Sequence, residues 1–64
     1  MKLQSWIAYK KTDGVKEDIG IVKTGIGATN LQAWQKAAHK FVGKPYVTIG
    51  WSLHVRKSEI VNAN

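Results

Sequence analysis

Thr29-Asn30-Leu31-Gln32-Ala33-Trp34-Gln35-Lys36-Ala37-Ala38-His39-Lys40-Phe41-Val42-Gly43-Lys44-Pro45 is the stretch on which the fold turns. Thr29 and Gln32 have the spacing of a capping box. The Thr29 hydroxyl accepts from the Gln32 amide, and the Gln32 side chain reaches back to the Thr29 amide. Leu31, Trp34, Ala38 and Phe41 recur at three- and four-residue spacing, so the predicted helix carries one apolar stripe made of these residues. The other face holds Gln32, Gln35, Lys36, His39 and Lys40. Gly43 stands where a left-handed residue ends a helix, and Pro45 forbids continuation. Lys40 and Lys44 suit the negative end of the helix dipole.

Outward from the helix, both flanks read as strand. Residues 2–11 alternate loosely and run into Thr12-Asp13-Gly14-Val15. Asp-Gly favours a two-residue hairpin turn, in which both central residues take positive φ. That turn sets Gln4 against Lys23, Trp6 against Ile21, Ala8 against Ile19 and Lys10 against Glu17. This face is apolar in the middle and charged at its ends, as a core-facing surface should be. The opposite face collects Leu3, Ile7, Tyr9 and Val22, with Asp18 and Gly20. Lys11 against Lys16 is a like-charge pair and speaks against the register. One residue of slip would exchange Trp6 for Ile7, so which hairpin face meets the helix stays open.

Beyond the helix, residues 46–55 alternate without error. Val47, Ile49, Trp51, Leu53 and Val55 point one way; Tyr46, Thr48, Gly50, Ser52 and His54 point the other. Period two over such a run is a half-buried strand, and Gly50 marks a bulge or bend. Residues 1–57 form one domain, and 58–64 are a short polar tail that frays or lengthens the last strand. The expected fold is α+β: a three-stranded antiparallel sheet, β-β-α-β in order 2-1-3, with one helix packed on one face. The layout is similar to that of several small phage-encoded proteins that bind and inhibit host machinery, a likeness of architecture that rests on no motif.

Composition narrows the chemistry. In 64 residues, ten Lys and Arg face four Asp and Glu, for a net charge of +6, and there is no Cys. A disulfide framework and a thiolate zinc site are excluded. His39 and His54 are the only histidines, and carboxylates near them are few, so no metal is expected. Ser5, Ser52 and Ser58 could be drawn into a triad with a histidine and Asp13 or Asp18. Nothing orients them, and the chain is too short for a water-excluding cleft, so no catalytic residue is assigned and no enzyme is expected. Gly25-Ile26-Gly27 before the helix lacks the third glycine of a dinucleotide fingerprint and the lysine of a phosphate loop, so no cofactor is expected. The longest apolar run, Trp6-Ile7-Ala8-Tyr9, is far short of the roughly 18 residues of a membrane span, and a cytoplasmic protein is the default. A domain this size buries only about 60% of its unfolded surface, which gives weight to a homodimer.

Two binding functions remain. The leading expectation is a small non-enzymatic basic protein that contacts nucleic acid mainly through phosphates. Lys10, Lys11, Lys36, Lys40, Lys44 and Arg56 would supply the contacts. Only one of the ten cations is Arg, which favours backbone binding over base reading. The alternative is a protein–protein effector of the phage or mobile-element kind, which would inhibit a host enzyme or defence complex. It would act through an exposed sheet face bearing Leu3, Ile7, Tyr9, Val22, Tyr46 and His54. The expected partner is thus a nucleic-acid backbone or an acidic host protein surface, with a second copy of the chain as a further occupant of that face.

Overall fold

In the computed structural model, which describes residues 1–43 and 51–62, Asp13 and Gly14 take φ of 50° and 81°. These two left-handed residues close the hairpin between β1 (Lys2–Thr12) and β2 (Val15–Thr24). The helix α1 (Asn30–Ala37) follows and runs into one wider turn, Ala38–Val42, closed by a bond from the Gly43 amide to the Ala38 carbonyl at 2.9 Å. Gly43, at φ 84°, ends it. The last strand, β3 (Ser52–Asn62), pairs antiparallel with β1. Sheet order is β2-β1-β3, so the expected α+β arrangement stands.

The capping box is present in both halves. The Gln32 amide donates to Thr29 Oγ1 at 3.2 Å, and the Thr29 amide donates to Gln32 Oε1 at 2.9 Å. Thr29→Ala is therefore expected to cost about 1 kcal/mol, measured as a lower urea midpoint with an unchanged slope.

The hairpin register differs from the sequence expectation beyond Tyr9. From Thr12↔Val15 to Tyr9↔Asp18 the pairing is as expected, Lys11 facing Lys16 included. An extra residue then enters β2, and the pairs become Ala8↔Gly20, Ile7↔Ile21, Trp6↔Val22, Ser5↔Lys23 and Gln4↔Thr24. A bulge of this kind shifts every later residue of β2 by one face. Val22, expected on the outer face, is consequently buried at 2% on the helix side. Gly20 also turns toward the helix, where the Phe41 ring lies over it.

The helix is rotated as well. Its buried residues are Ala33 and Ala37, with Ala38 in the wide turn, whereas Leu31 is 63% exposed. At 3.6 residues per turn, Leu31 points about 140° away from the line through Ala33 and Ala37. Alanines face the sheet because large groups from the strands already fill that space: Trp6, Val22, Leu53 and Val55, with Ala8 between them. Trp34, Phe41, Val42, Ile19 and Trp51 pack around this centre.

The strand expected over 46–55 is found from Ser52 onward, and residues 46–50 lie outside the described residues, as do Lys44 and Pro45. The polar tail lengthens the strand as far as Asn62, in register with Lys2. A second shift, between Gln4 and Trp6, sets Ser58 and Glu59 opposite Ser5. The buried Gln4 side chain donates there to the carbonyls of Ser5 (2.9 Å) and Glu59 (3.3 Å). Among the described residues no buried side-chain nitrogen or oxygen lacks a partner.

Candidate functional site

Alternation and the bulge together decide which cations meet. In β2 the carbonyls of Ile21 and Lys23, two residues apart on an outer strand, share a direction away from β1. Lys36 and Lys40 lie one turn apart on the side of α1 above that strand. The Lys40 ammonium donates to the Ile21 carbonyl at 2.9 Å, and the Lys36 ammonium donates to the carbonyl of Lys23. The opposite side of the helix does the same to β3. Trp34 Nε1 donates to the Leu53 carbonyl at 2.8 Å, and Asn30 Nδ2 reaches the Val55 carbonyl at 3.5 Å. One helix thus bonds to both outer strands, with Ala33 and Ala37 beneath it.

Between α1 and β2 an open groove of about 450 Å³ is lined by Ile21, Val22, Lys23, Lys36 and Lys40. Three of these five residues are lysines and none is a carboxylate. Each ammonium has three N–H donors, so Lys36 and Lys40 retain two apiece after bonding to the strand. A second hollow, about 300 Å³, is lined by Lys10, Glu17, Asp18, Ile19, Phe41 and Trp51 and is mixed in charge.

The other cations named from the sequence are placed differently. Lys10 pairs with Glu17 at 3.3 Å. Arg56 reaches across β1 to Asp18 with both terminal nitrogens, at 3.2 and 3.3 Å. Both pairs are exposed and add little stability, about 0–1 kcal/mol, but each cation has a carboxylate beside it. Lys11 stands near the hairpin turn, two residues from it, and Lys44 lies outside the described residues. Of the five among the described residues, only Lys36 and Lys40 meet at one groove. Lys23, which the sequence register sets at the end of the core-facing side, is turned with Ile21 to the face away from the helix, and its carbonyl is what meets Lys36. The signal for that turn is Gly20 inside a strand pattern, a recognised mark of a bulge.

The sheet face away from the helix keeps Leu3, Ile7, Tyr9 and His54 from the expected partner patch. Val22 has left it, as above, and Tyr46 is outside the described residues. Ile21, 50% exposed and opposite Ile7, takes the place of Val22. Tyr9 is not an open platform. His54 stacks on it with ring centroids 5.2 Å apart and planes 16° apart, and Arg56 and Lys16 lie 5.3 and 5.7 Å from the ring centre.

Among the described residues no three His, Asp or Glu side chains converge as metal ligands would, and no helix is long and apolar enough to cross a membrane. No protein-family model, curated protein or solved structure matches the chain.

Proposed function

We propose that this chain is a non-enzymatic binding module that holds a nucleic acid by its phosphates, with the groove between α1 and β2 as the contact surface. The observation that supports this reading is the pairing of Lys36 and Lys40 along one open groove without a carboxylate in its lining. Two of the four acidic residues, Glu17 and Asp18, are held by Lys10 and Arg56, away from this groove. Lysines with no arginine favour charge neutralisation over recognition of particular bases.

The test is fluorescence anisotropy on a labelled pool of DNA and RNA at two salt concentrations. Lys36→Glu with Lys40→Glu is expected to abolish binding, because reversing two charges removes attraction and adds repulsion. Ile7→Ser with Tyr9→Ser is expected to leave binding within about twofold, since neither side chain lines the groove. Absence of binding even at low salt would overturn the proposal.

A protein-effector reading draws on a different observation: the uncovered sheet face carries two apolar cross-strand pairs, Leu3↔Val61 and Ile7↔Ile21, four residues apart along β1. In that case Ile7→Ser with Tyr9→Ser breaks the association, and charge reversal on the helix leaves it intact.

A further inference from the structure

Resting on the phosphate-binding reading, we infer that the backbone amides of Ile21 and Lys23 belong to the same site. The outer edge of β2 then offers a ligand hydrogen-bond donors alone at these two positions. In an antiparallel pair the N–H and C=O of one residue point the same way, toward the neighbouring strand or away from it. The carbonyls of Ile21 and Lys23 point away from β1, since Lys40 and Lys36 reach them from the helix. The amides of the same two residues therefore point outward beside them. Val22 and Thr24, set opposite Trp6 and Gln4, are the residues that bond inward to β1. Among the described residues no side chain accepts from the Ile21 or Lys23 amide, and no backbone bond outside the helices and strands reaches either.

A bare strand edge alternates acceptors with donors and invites another strand. Here the acceptors are taken up. Each carbonyl already receives an ammonium, and that ammonium keeps further N–H donors of its own. What remains at Ile21 and Lys23 is a pair of amides beside a pair of cations. A peptide strand would find no acceptor here for its own N–H groups. A phosphodiester carries free oxygens and no donor, so one oxygen can take an amide while another takes an ammonium. A sheet edge of this polarity attracts anions for the same reason that a row of unpaired amides does elsewhere. The other outer strand supplies the contrast. The outward carbonyls of Val55 and Leu53 receive Asn30 and Trp34, which are neutral, so the same geometry on β3 lacks the charge to hold an anion.

Amide hydrogen exchange on the isotope-labelled chain, followed by NMR, tests the inference. A short oligothymidylate and a short DNA duplex are the parallel probes, and binding of either one serves. In the free protein the Ile21 and Lys23 amides are expected to exchange about tenfold faster than that of Val22, or more. Bound probe should slow both about fivefold or more and leave the outward amides of Leu53 and Val55 unaltered. Ile21→Pro removes the outward N–H at an edge position that tolerates proline, and it removes no charge. Its affinity is expected to fall about five- to tenfold, the loss of one hydrogen bond to a charged group. The slope of log K against log salt should stay unaltered, because the slope counts cations. Lys36→Gln should instead lower that slope by about 0.7–0.9. Ile21→Ala keeps the N–H and should bind within about twofold of the parent. Exchange on the parent chain needs no variant, so the inference stays falsifiable if proline weakens the sheet. Binding with exchange at Ile21 and Lys23 unchanged would overturn the inference and leave phosphate contact by Lys36 and Lys40 standing. A slope that falls in a folded Ile21→Pro variant would overturn it too, because the loss would then lie in the lysines. Failure of both probes to bind even at low salt would instead overturn the functional reading beneath it.

Discussion

Trp6→Ala is expected to leave the domain largely unfolded in buffer at room temperature. Among the described residues Trp6 is the one large side chain that is fully enclosed, at 1% exposure, and it packs with Ala8, Val22, Leu53, Val55 and the helix alanines. Truncating a buried tryptophan to alanine costs about 3–5 kcal/mol. A domain of this length holds only about 3–10 kcal/mol, from about 0.05–0.15 kcal/mol per residue. The indole nitrogen also donates to Thr24 Oγ1 at 2.8 Å, which ties the middle of β1 to the end of β2. Trp6→Phe keeps a ring in the cavity and loses that bond, so it should remain folded and cost about 1–2 kcal/mol. Urea titration followed by far-UV circular dichroism distinguishes the two. A midpoint for Trp6→Ala close to that of the parent would mean that the core does not depend on this contact.

Gly20→Ala is the second large effect, and its cause is a lack of room. A Cβ built at Gly20 would lie 2.6 Å from Phe41 Cζ and 2.7 Å from Phe41 Cε1, closer than carbon atoms approach. The ring belongs to the wide turn after α1, and moving it disturbs the packing of that turn on β2. Overpacking of this kind costs about 1–3 kcal/mol. The clashing atoms are at the far end of the ring, and leucine has no counterpart to them. Gly20→Ala combined with Phe41→Leu is therefore expected to be more stable than the sum of the single effects by about 1 kcal/mol or more. Strict additivity in that cycle would show that Phe41 is not what excludes a side chain at Gly20.

The topology was legible because its signals are local and chemical. Asp13-Gly14 dictates a turn, Thr29 with Gln32 dictates a helix start, and Gly43 dictates its end, wherever the rest of the chain lies. What the sequence did not disclose depends on three-dimensional fit. The extra residue in β2 leaves Asp-Gly and the pairs next to it untouched, yet it moves Val22 into the core and turns Lys23 to the uncovered face. Of the expected helix stripe, Ala38 is buried and Trp34 and Phe41 pack against the core, but Leu31 does not, because size alone is not the mark of burial. Trp6 and its neighbours occupy the space under the helix, so alanine is what fits there and Leu31 is left outside. Lys36 and Lys40 were recognisable as a pair from their spacing alone. Their attachment to β2, which turns two flexible cations into a fixed row, follows only from how the helix crosses the sheet.

That crossing also governs what the molecule does when it is partly unfolded. A sheet with one free side can pair with one neighbour and stop, whereas a sheet free on both sides can add neighbours without limit. In the folded chain Lys36 and Lys40 guard one side, and Asn30 and Trp34 guard the other. Both guards ride on the helix and the turn that continues it, so they are lost together. Transient detachment of that helix would open both outer strands at once and leave a species able to grow in both directions. Residues 30–42, the helix and the turn that closes it, are thus what separates the folded chain from open-ended strand pairing.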